Sequence, residues 1–243
     1  GAKACADLKI KSPDINVGIT VFKSSITKIL DFMDRQYLKN FGSIPVTHQN
    51  LVSGMKSYKR PNDKIRQWVK TGQLIPLTRG KYVVSEKVCG TTPSPILVAN
   101  MLYGPSYVSL TYALAYYRAI PEQVAEVTSV ANGRSKEIKT ALGAFSYTTL
   151  SMPYYAKGIQ MEHLEARQYG LIARPEKALC DILVCSRTRH LRSVVDAEYW
   201  LADMRLDKTW LHSLKRRRIT EWLPSAPKQK SLLNLIKVLP GDD

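Results

Sequence analysis

Hydrophobic positions alternate at the start of the chain: Leu8 and Ile10, then Ile15, Val17, Ile19 and Val21. That two-residue period predicts an extended strand or arm over residues 1–21. From residue 22 the period lengthens. Phe22, Ile26, Ile29, Leu30, Met33 and Leu38 fall on one face of a helix, and Gly42 stops it. Thr47 is placed to cap a short helix carrying Leu51 and Val52, ended by Gly54. Pro61-Asn62-Asp63 opens another helix, with Ile65, Trp68 and Val69 inward and Thr71-Gly72 closing it. Two short apolar runs, residues 73–77 and 82–85, flank Thr78-Arg79-Gly80-Lys81 and predict a hairpin with a basic tip. Helix, short helix, helix and hairpin within residues 22–88 is the order of a winged helix-turn-helix. Its core would be Ile29, Met33, Leu51, Ile65, Trp68 and Val69.

Gly90, Pro93 and Pro95 make residues 86–95 a boundary, because neither proline extends a regular element through it. Beyond it, helices are expected at 95–102 and 106–119, and β-like runs at 125–131, 145–152, 159–163 and 169–173. A helix follows at 176–186, with Pro175 in its first turn. Tail helices are expected at 195–204, 208–215 and 228–239, the last with Leu232, Leu235, Ile236 and Leu239 on one side. The predicted fold class is α+β: an N-terminal winged helix-turn-helix, then a mixed α+β C-terminal domain with a helical tail. The domains expected are 1–21, 22–88 and 95–243.

Charge changes the picture most. The 243 residues carry 36 Lys and Arg against 20 Asp and Glu, a net +16. Such a balance points to a polyanionic partner, nucleic acid first. It is also polarised, since residues 1–90 hold 16 basic and 6 acidic side chains. The outer positions of the helix over 62–71 are Asn62, Lys64, Arg66, Gln67 and Lys70, with Tyr58, Lys59 and Arg60 just before it. Asn, Gln and Arg pair two-point with base edges, and Lys serves phosphates. Arg79 and Lys81 at the hairpin tip suit a backbone or minor-groove contact. A merely solvated polar face is the plainer reading of any one of these residues. The ordered set of core, basic helix, glycine stop and basic hairpin favours DNA binding. No apolar stretch approaches the roughly 20 residues that span a bilayer, and the first 20 residues lack the apolar block of a secretory signal. Four cysteines in a chain of this length make no disulfide framework, so a cytoplasmic location and no membrane association are expected.

Several segments together resemble the AbiEi family of antitoxins. The run from Lys64-Ile65-Arg66-Gln67-Trp68-Val69 to Gly72-Gln73-Leu74-Ile75-Pro76-Leu77-Thr78-Arg79-Gly80-Lys81-Tyr82 resembles the winged-helix half of that family. Residues Pro105-Ser106-Tyr107-Val108-Ser109-Leu110-Thr111-Tyr112-Ala113-Leu114 are similar to its following helix. Val127-Thr128-Ser129-Val130 resembles a strand of the family, and Ala173-Arg174-Pro175-Glu176-Lys177-Ala178-Leu179-Cys180-Asp181 resembles its A-R-P-E-K-A-L-x-D helix start, the most specific piece. The resemblance spans about residues 22–190. It implies the antitoxin and autorepressor of a type IV toxin–antitoxin system. Such a protein binds inverted repeats in its own promoter and counters a nucleotidyltransferase-like toxin without a stable complex. By position in the motif, the family's DNA-reading residues fall on Arg60, Lys64, Arg66, Gln67, Arg79 and Lys81. A monomer in solution that pairs on DNA is expected. Asp63 departs from the basic pattern; near a helix N-terminus it complements the partial positive charge there.

Other chemistries are weighed against this. Glu122, Glu137 and Lys139 superficially form the acidic pair and E-x-K of a magnesium-dependent nuclease. That nuclease, and a plain winged-helix regulator without a toxin, are the alternatives. His48, His163, His190 and His212 are scattered, and Cys180 and Cys185 lie five apart, so neither a metal nor any cofactor is expected. Arg187, Arg189 and Arg192, and Lys215, Arg216, Arg217 and Arg218, each follow a predicted helix. They either complement that helix's C-terminal dipole or form an auxiliary phosphate-binding surface. Tyr112 and Tyr116 share a helix face and are placed either to pack or to stack on bases.

Overall fold

The computed structural model describes residues 14–56 and 58–241, with side chains given for Ser25 and from Lys28 onward. The chain divides into two compact units, Gly1–Gly42 and Ser43–Asp243. In the first, helix α1 runs from Asp14 to Lys39. The arm expected over residues 1–21 is therefore corrected from Asp14 on, and its residues 1–13 lie outside the described part. Ile15 and Ile19 are also one helical turn apart, so the short alternation is equally a helical stripe, and continuity with Phe22 and Ile26 decides for helix. The expected core membership of Ile29 and Met33 is also corrected: they are 60% and 59% exposed, with Leu30 and Phe32 exposed beside them. Among the described residues of that unit there is no second helix or strand to cover the stripe.

The second unit opens with β1 (Val46–Thr47), α2 (His48–Ser53), α3 (Pro61–Lys70), β2 (Leu74–Thr78) and β3 (Lys81–Val84). Thr47 caps α2, its hydroxyl accepting from Asn50 N at 3.1 Å. Pro61 occupies the first turn of α3, and Gly72 follows it at φ 70°. The three strands pair in the order β1-β3-β2, all antiparallel. Pro76 lies on the edge strand β2, where its missing N–H breaks no ladder. Gly80 turns the hairpin at φ 75°, which a side chain would resist. Leu51, Ile65 and Trp68 are buried as expected, while Val69 is half-buried.

The rest comprises α4 (Glu86–Cys89), α5 (Pro95–Leu102), β4 (Ser106–Val108), α6 (Leu110–Tyr116), β5 (Val127–Ala131), β6 (Lys136–Thr140) and β7 (Gly143–Thr149). Then come β8 (Ile159–Leu164), β9 (Gln168–Ala173), α7 (Pro175–Cys185), α8 (Val194–Asp203), α9 (Lys208–Ser213), α10 (Arg216–Trp222) and α11 (Gln229–Val238). Six strands form one mixed sheet in the order β6-β7-β5-β4-β9-β8. The helix expected over 106–119 is really strand, then helix. Tyr107 and Val108 sit fully buried at the sheet centre, paired with β5 on one side and β9 on the other. Long-range pairing there overrides the local pattern. The mixed α+β class stands, with two sheets.

Residues 86–95 do not part the unit. Leu77 and Val83 from the small sheet share one apolar core with Ile96, Tyr107, Ile172 and Leu179. Among the described residues, no helix is long and apolar enough to cross a membrane.

Candidate nucleic-acid interface

α3 turns Ile65 and Trp68 inward and leaves Asn62, Asp63, Arg66, Gln67 and Lys70 exposed. The hairpin brings Arg79 to the same side: Asn62, Arg66, Arg79, His48 and Tyr82 line one cleft of about 530 Å³. Lys59 and Arg60 meet Asn62, Asp63 and Arg66 in a shallower depression of about 350 Å³. These donors suit base edges and phosphates together.

Two lining residues were missed in the sequence. His48 starts α2, its N–H donating to Gly80 O at 2.8 Å and its Nε2 lying 3.0 Å from Asn62 Oδ1. His48 thus ties α2 to the hairpin turn through its backbone and to α3 through its imidazole. Tyr82 sits opposite, its ring centroid 6.4 Å from that of His48. The Thr47 cap marks His48 as the helix start, but no local signal places that start beside Gly80.

Other predicted residues have different partners. Lys81 is not a free cation at the hairpin tip. Its ammonium donates to Met101 O at 2.6 Å and Leu102 O at 2.9 Å, the last carbonyls of α5. Burial, then the neighbouring Lys136, push its pKa down. Tyr58 packs edge-on against Trp68, with ring centroids 6.3 Å apart. Lys64 donates to Gln67 Oε1 at 3.1 Å and lies 6.0 Å from the Trp68 ring centre. Asp63, in the first turn, pairs with Arg66 at 3.4 Å across two exposed side chains, a contact that swings open at little cost.

Of the Arg174-Pro175-Glu176-Lys177-Ala178-Leu179 segment, Glu176 to Leu179 are interior and the first two residues half-buried. Lys177 and Asp181 pair at 2.6 Å, both fully buried. Tyr107 and Ser109 donate to the other Asp181 oxygen at 3.0 and 2.8 Å. The Lys177 ammonium also lies 3.5 Å from the Tyr154 ring centre. Burial, then Asp181, push the Tyr107 phenol far up. Glu176, almost fully buried, accepts from Arg218 Nη1 and from Lys215 N, each at 3.0 Å.

The second basic cluster is corrected accordingly. Arg216–Arg218 do not trail a helix but begin α10, where cations oppose the dipole. Carboxylates offset this: Arg218 pairs with Glu176, and Arg217 with Glu221 at 3.1 Å. Arg187, Arg189 and Arg192 are exposed after α7. Its terminal carbonyls at Leu183 and Ser186, and Arg189 O beyond, accept instead from Lys228 Nζ. Glu137 and Lys139 lie exposed on edge strand β6, which the sequence pattern missed, and Glu122 is exposed in the connection before β5. Among the described residues, no three His, Cys, Asp or Glu side chains are grouped to hold a metal ion. Neither a scan against protein-family models nor a search of curated proteins finds a match to this chain.

Proposed function

We propose that α2 to β3 belong to a winged helix-turn-helix that binds double-stranded DNA, with α3 as the reading helix and the β2–β3 turn as the wing. One observation carries this reading: Asn62 and Arg66 of α3 and Arg79 of the hairpin line the same cleft, in the more basic third of a +16 chain. The element order supports it, being that of the module. Together with the resemblance of residues 22–190 to the AbiEi family, this supports a cytoplasmic, sequence-specific repressor. It would autoregulate its operon through inverted repeats and act as antitoxin to a nucleotidyltransferase-like toxin. The protein acts as a binder, without a catalytic residue or cofactor.

Gel shifts against the upstream region of its own gene test the DNA reading. Affinity should fall with salt at a log–log slope of about −0.9 per phosphate neutralised. A flat response ends it. Co-expression with a neighbouring nucleotidyltransferase tests the antitoxin reading: growth should be restored by the intact chain. Failure there, with promoter binding intact, leaves a regulator without a toxin.

A further inference from the structure

Away from α3, the six-stranded half holds a cleft of about 600 Å³, a size typical of small-molecule sites. Tyr112 and Tyr116 of α6 wall it, with Phe145 of β7, His163 and Glu165 from the end of β8, and Gln168 of β9. The two tyrosines are four residues apart and share one helix face.

The walls are held in place before any ligand arrives. Tyr116 Oη lies 3.4 Å from Glu162 Oε1, and Gln160 Nε2 donates to the other oxygen of Glu162 at 3.1 Å and to Tyr117 Oη at 3.0 Å. Tyr117 in turn donates to Ala173 O at 2.8 Å. Gln168, nearly fully buried, accepts from Ser94 N at 2.7 Å and donates to Thr92 O and Ser43 Oγ at 3.0 Å. Its amide is fully engaged, so it serves as scaffold. His163 stands edge-on to Tyr169, with ring centroids 5.0 Å apart.

Backbone strain flanks the same cleft on both sides. Leu110, two residues before Tyr112, has φ 60°, and Ala166 and Arg167, between Glu165 and Gln168, have φ 55° and 59°. Non-glycine residues rarely adopt that region, a bulky one least of all. Such strain persists where the surroundings over-determine it, and it gathers at ligand clamps.

Charge narrows the occupant. Among the described residues lining the cleft none is Lys or Arg, although the chain is strongly basic, and Glu165 supplies a carboxylate. A phosphate is thereby disfavoured. A flat, uncharged ligand with adjacent hydrogen-bond donors fits. We propose that the cleft binds guanine, either as the free nucleoside or as an unpaired base in a strand. Tyr112 and Tyr116 form the stacking platform, and Glu165 accepts from guanine N1–H and the 2-amino group. Adenine and cytosine each set a ring acceptor beside their amino group, and uracil flanks its one N–H with two carbonyls. Each of those edges repels a carboxylate that guanine satisfies twice.

Calorimetric titration of the full chain tests this, with guanosine, inosine, adenosine and uridine as probes. An unpaired heptamer with one central guanosine among uridines, against the all-uridine heptamer, covers the second source. Guanosine or the guanosine heptamer should saturate, and guanosine should bind about tenfold tighter than inosine, which lacks the 2-amino group. Binding of the heptamer without the nucleoside identifies a strand as the source. Tyr116→Ala should weaken binding about tenfold, and Tyr116→Phe should retain it. Glu165→Gln, at an exposed position, should abolish the preference over inosine and keeps the test decisive if Tyr116→Ala disturbs α6. Promoter gel shifts should be unchanged in these variants, so failure of the promoter reading is separable from failure of this one. No saturation by either guanosine probe up to about 5 mM, uridine binding as well as guanosine, or Glu165→Gln behaving as the parent chain overturns the proposal.

Discussion

Lys177 Nζ lies 2.6 Å from Asp181 Oδ1, and neither side chain has any exposed surface. The pair sits where α7 meets the sheet, with Tyr107 and Ser109 donating to the second Asp181 oxygen. A lone charge left there would face an interior that cannot solvate it. Lys177→Met is therefore expected to cost about 3–5 kcal/mol of stability. Adding Asp181→Leu should cost less than the two single changes combined, because the uncompensated charge goes with it. Urea unfolding of the three variants measures this. A loss below about 1 kcal/mol for Lys177→Met would show that the pair is not the anchor of α7.

The same segment shows what a sequence can and cannot disclose. Glu176, Lys177 and Asp181 read as charged positions on a helix, and local spacing gave no reason to bury them. Their partners Tyr107, Ser109 and Arg218 lie about 40 to 75 residues away in the chain. By contrast, α3 and its hairpin were legible almost residue by residue, because Pro61, Gly72 and Gly80 act locally. Strand β4 was missed for the opposite reason: three residues carry no period, and only pairing with β5 and β9 makes them a strand. At the candidate interface, Asn62, Arg66 and Arg79 were legible, while His48 required knowing that α2 starts beside Gly80.

Lys81 and Arg79 are two residues apart and should separate cleanly on mutation. Lys81 holds the α5 carbonyls of Met101 and Leu102, so Lys81→Ala should lower stability by about 1–2 kcal/mol. Promoter affinity should be nearly unaffected. Arg79→Ala should leave the melting temperature in place and weaken promoter binding with a shallower salt slope. Melting curves and gel shifts on the pair decide; the opposite pattern would return Lys81 to the DNA face.

Alkaline pH should unfold the protein steeply. Burial pushes the Cys185 thiol up to about 12, and burial also raises the phenols of Tyr107, Tyr147 and Tyr154. Each group binds its proton more tightly folded than unfolded, so stability is fully present below the unfolded pKa and falls as pH rises above it. For Cys185 the loss begins near the ordinary thiol value and runs to about 12. The phenols add theirs from about 10 upward. Loss of far-ultraviolet dichroism should therefore coincide with the late part of the tyrosinate rise, to which the buried Tyr107, Tyr147 and Tyr154 contribute. Completion of the tyrosinate rise well before loss of structure would contradict the burial.

The last expectation concerns division of labour on α3. Arg66 is 82% exposed, pairs with the exposed Asp63, and faces the cleft with Asn62 and Arg79. If it reads a guanine edge, Arg66→Ala costs about 1–3 kcal/mol and relaxes preference at one base position. Lys70, in the last turn, is placed for phosphate, so Lys70→Ala should weaken all sequences alike and reduce the salt slope by about 1. Asp63→Asn should strengthen binding, since it frees Arg66 and removes a negative charge beside the groove. Gel shifts on a set of single-base operator variants resolve these outcomes. Uniform weakening by Arg66→Ala with selective loss by Lys70→Ala would reverse the two roles, and it would turn α3 by about one residue in the groove.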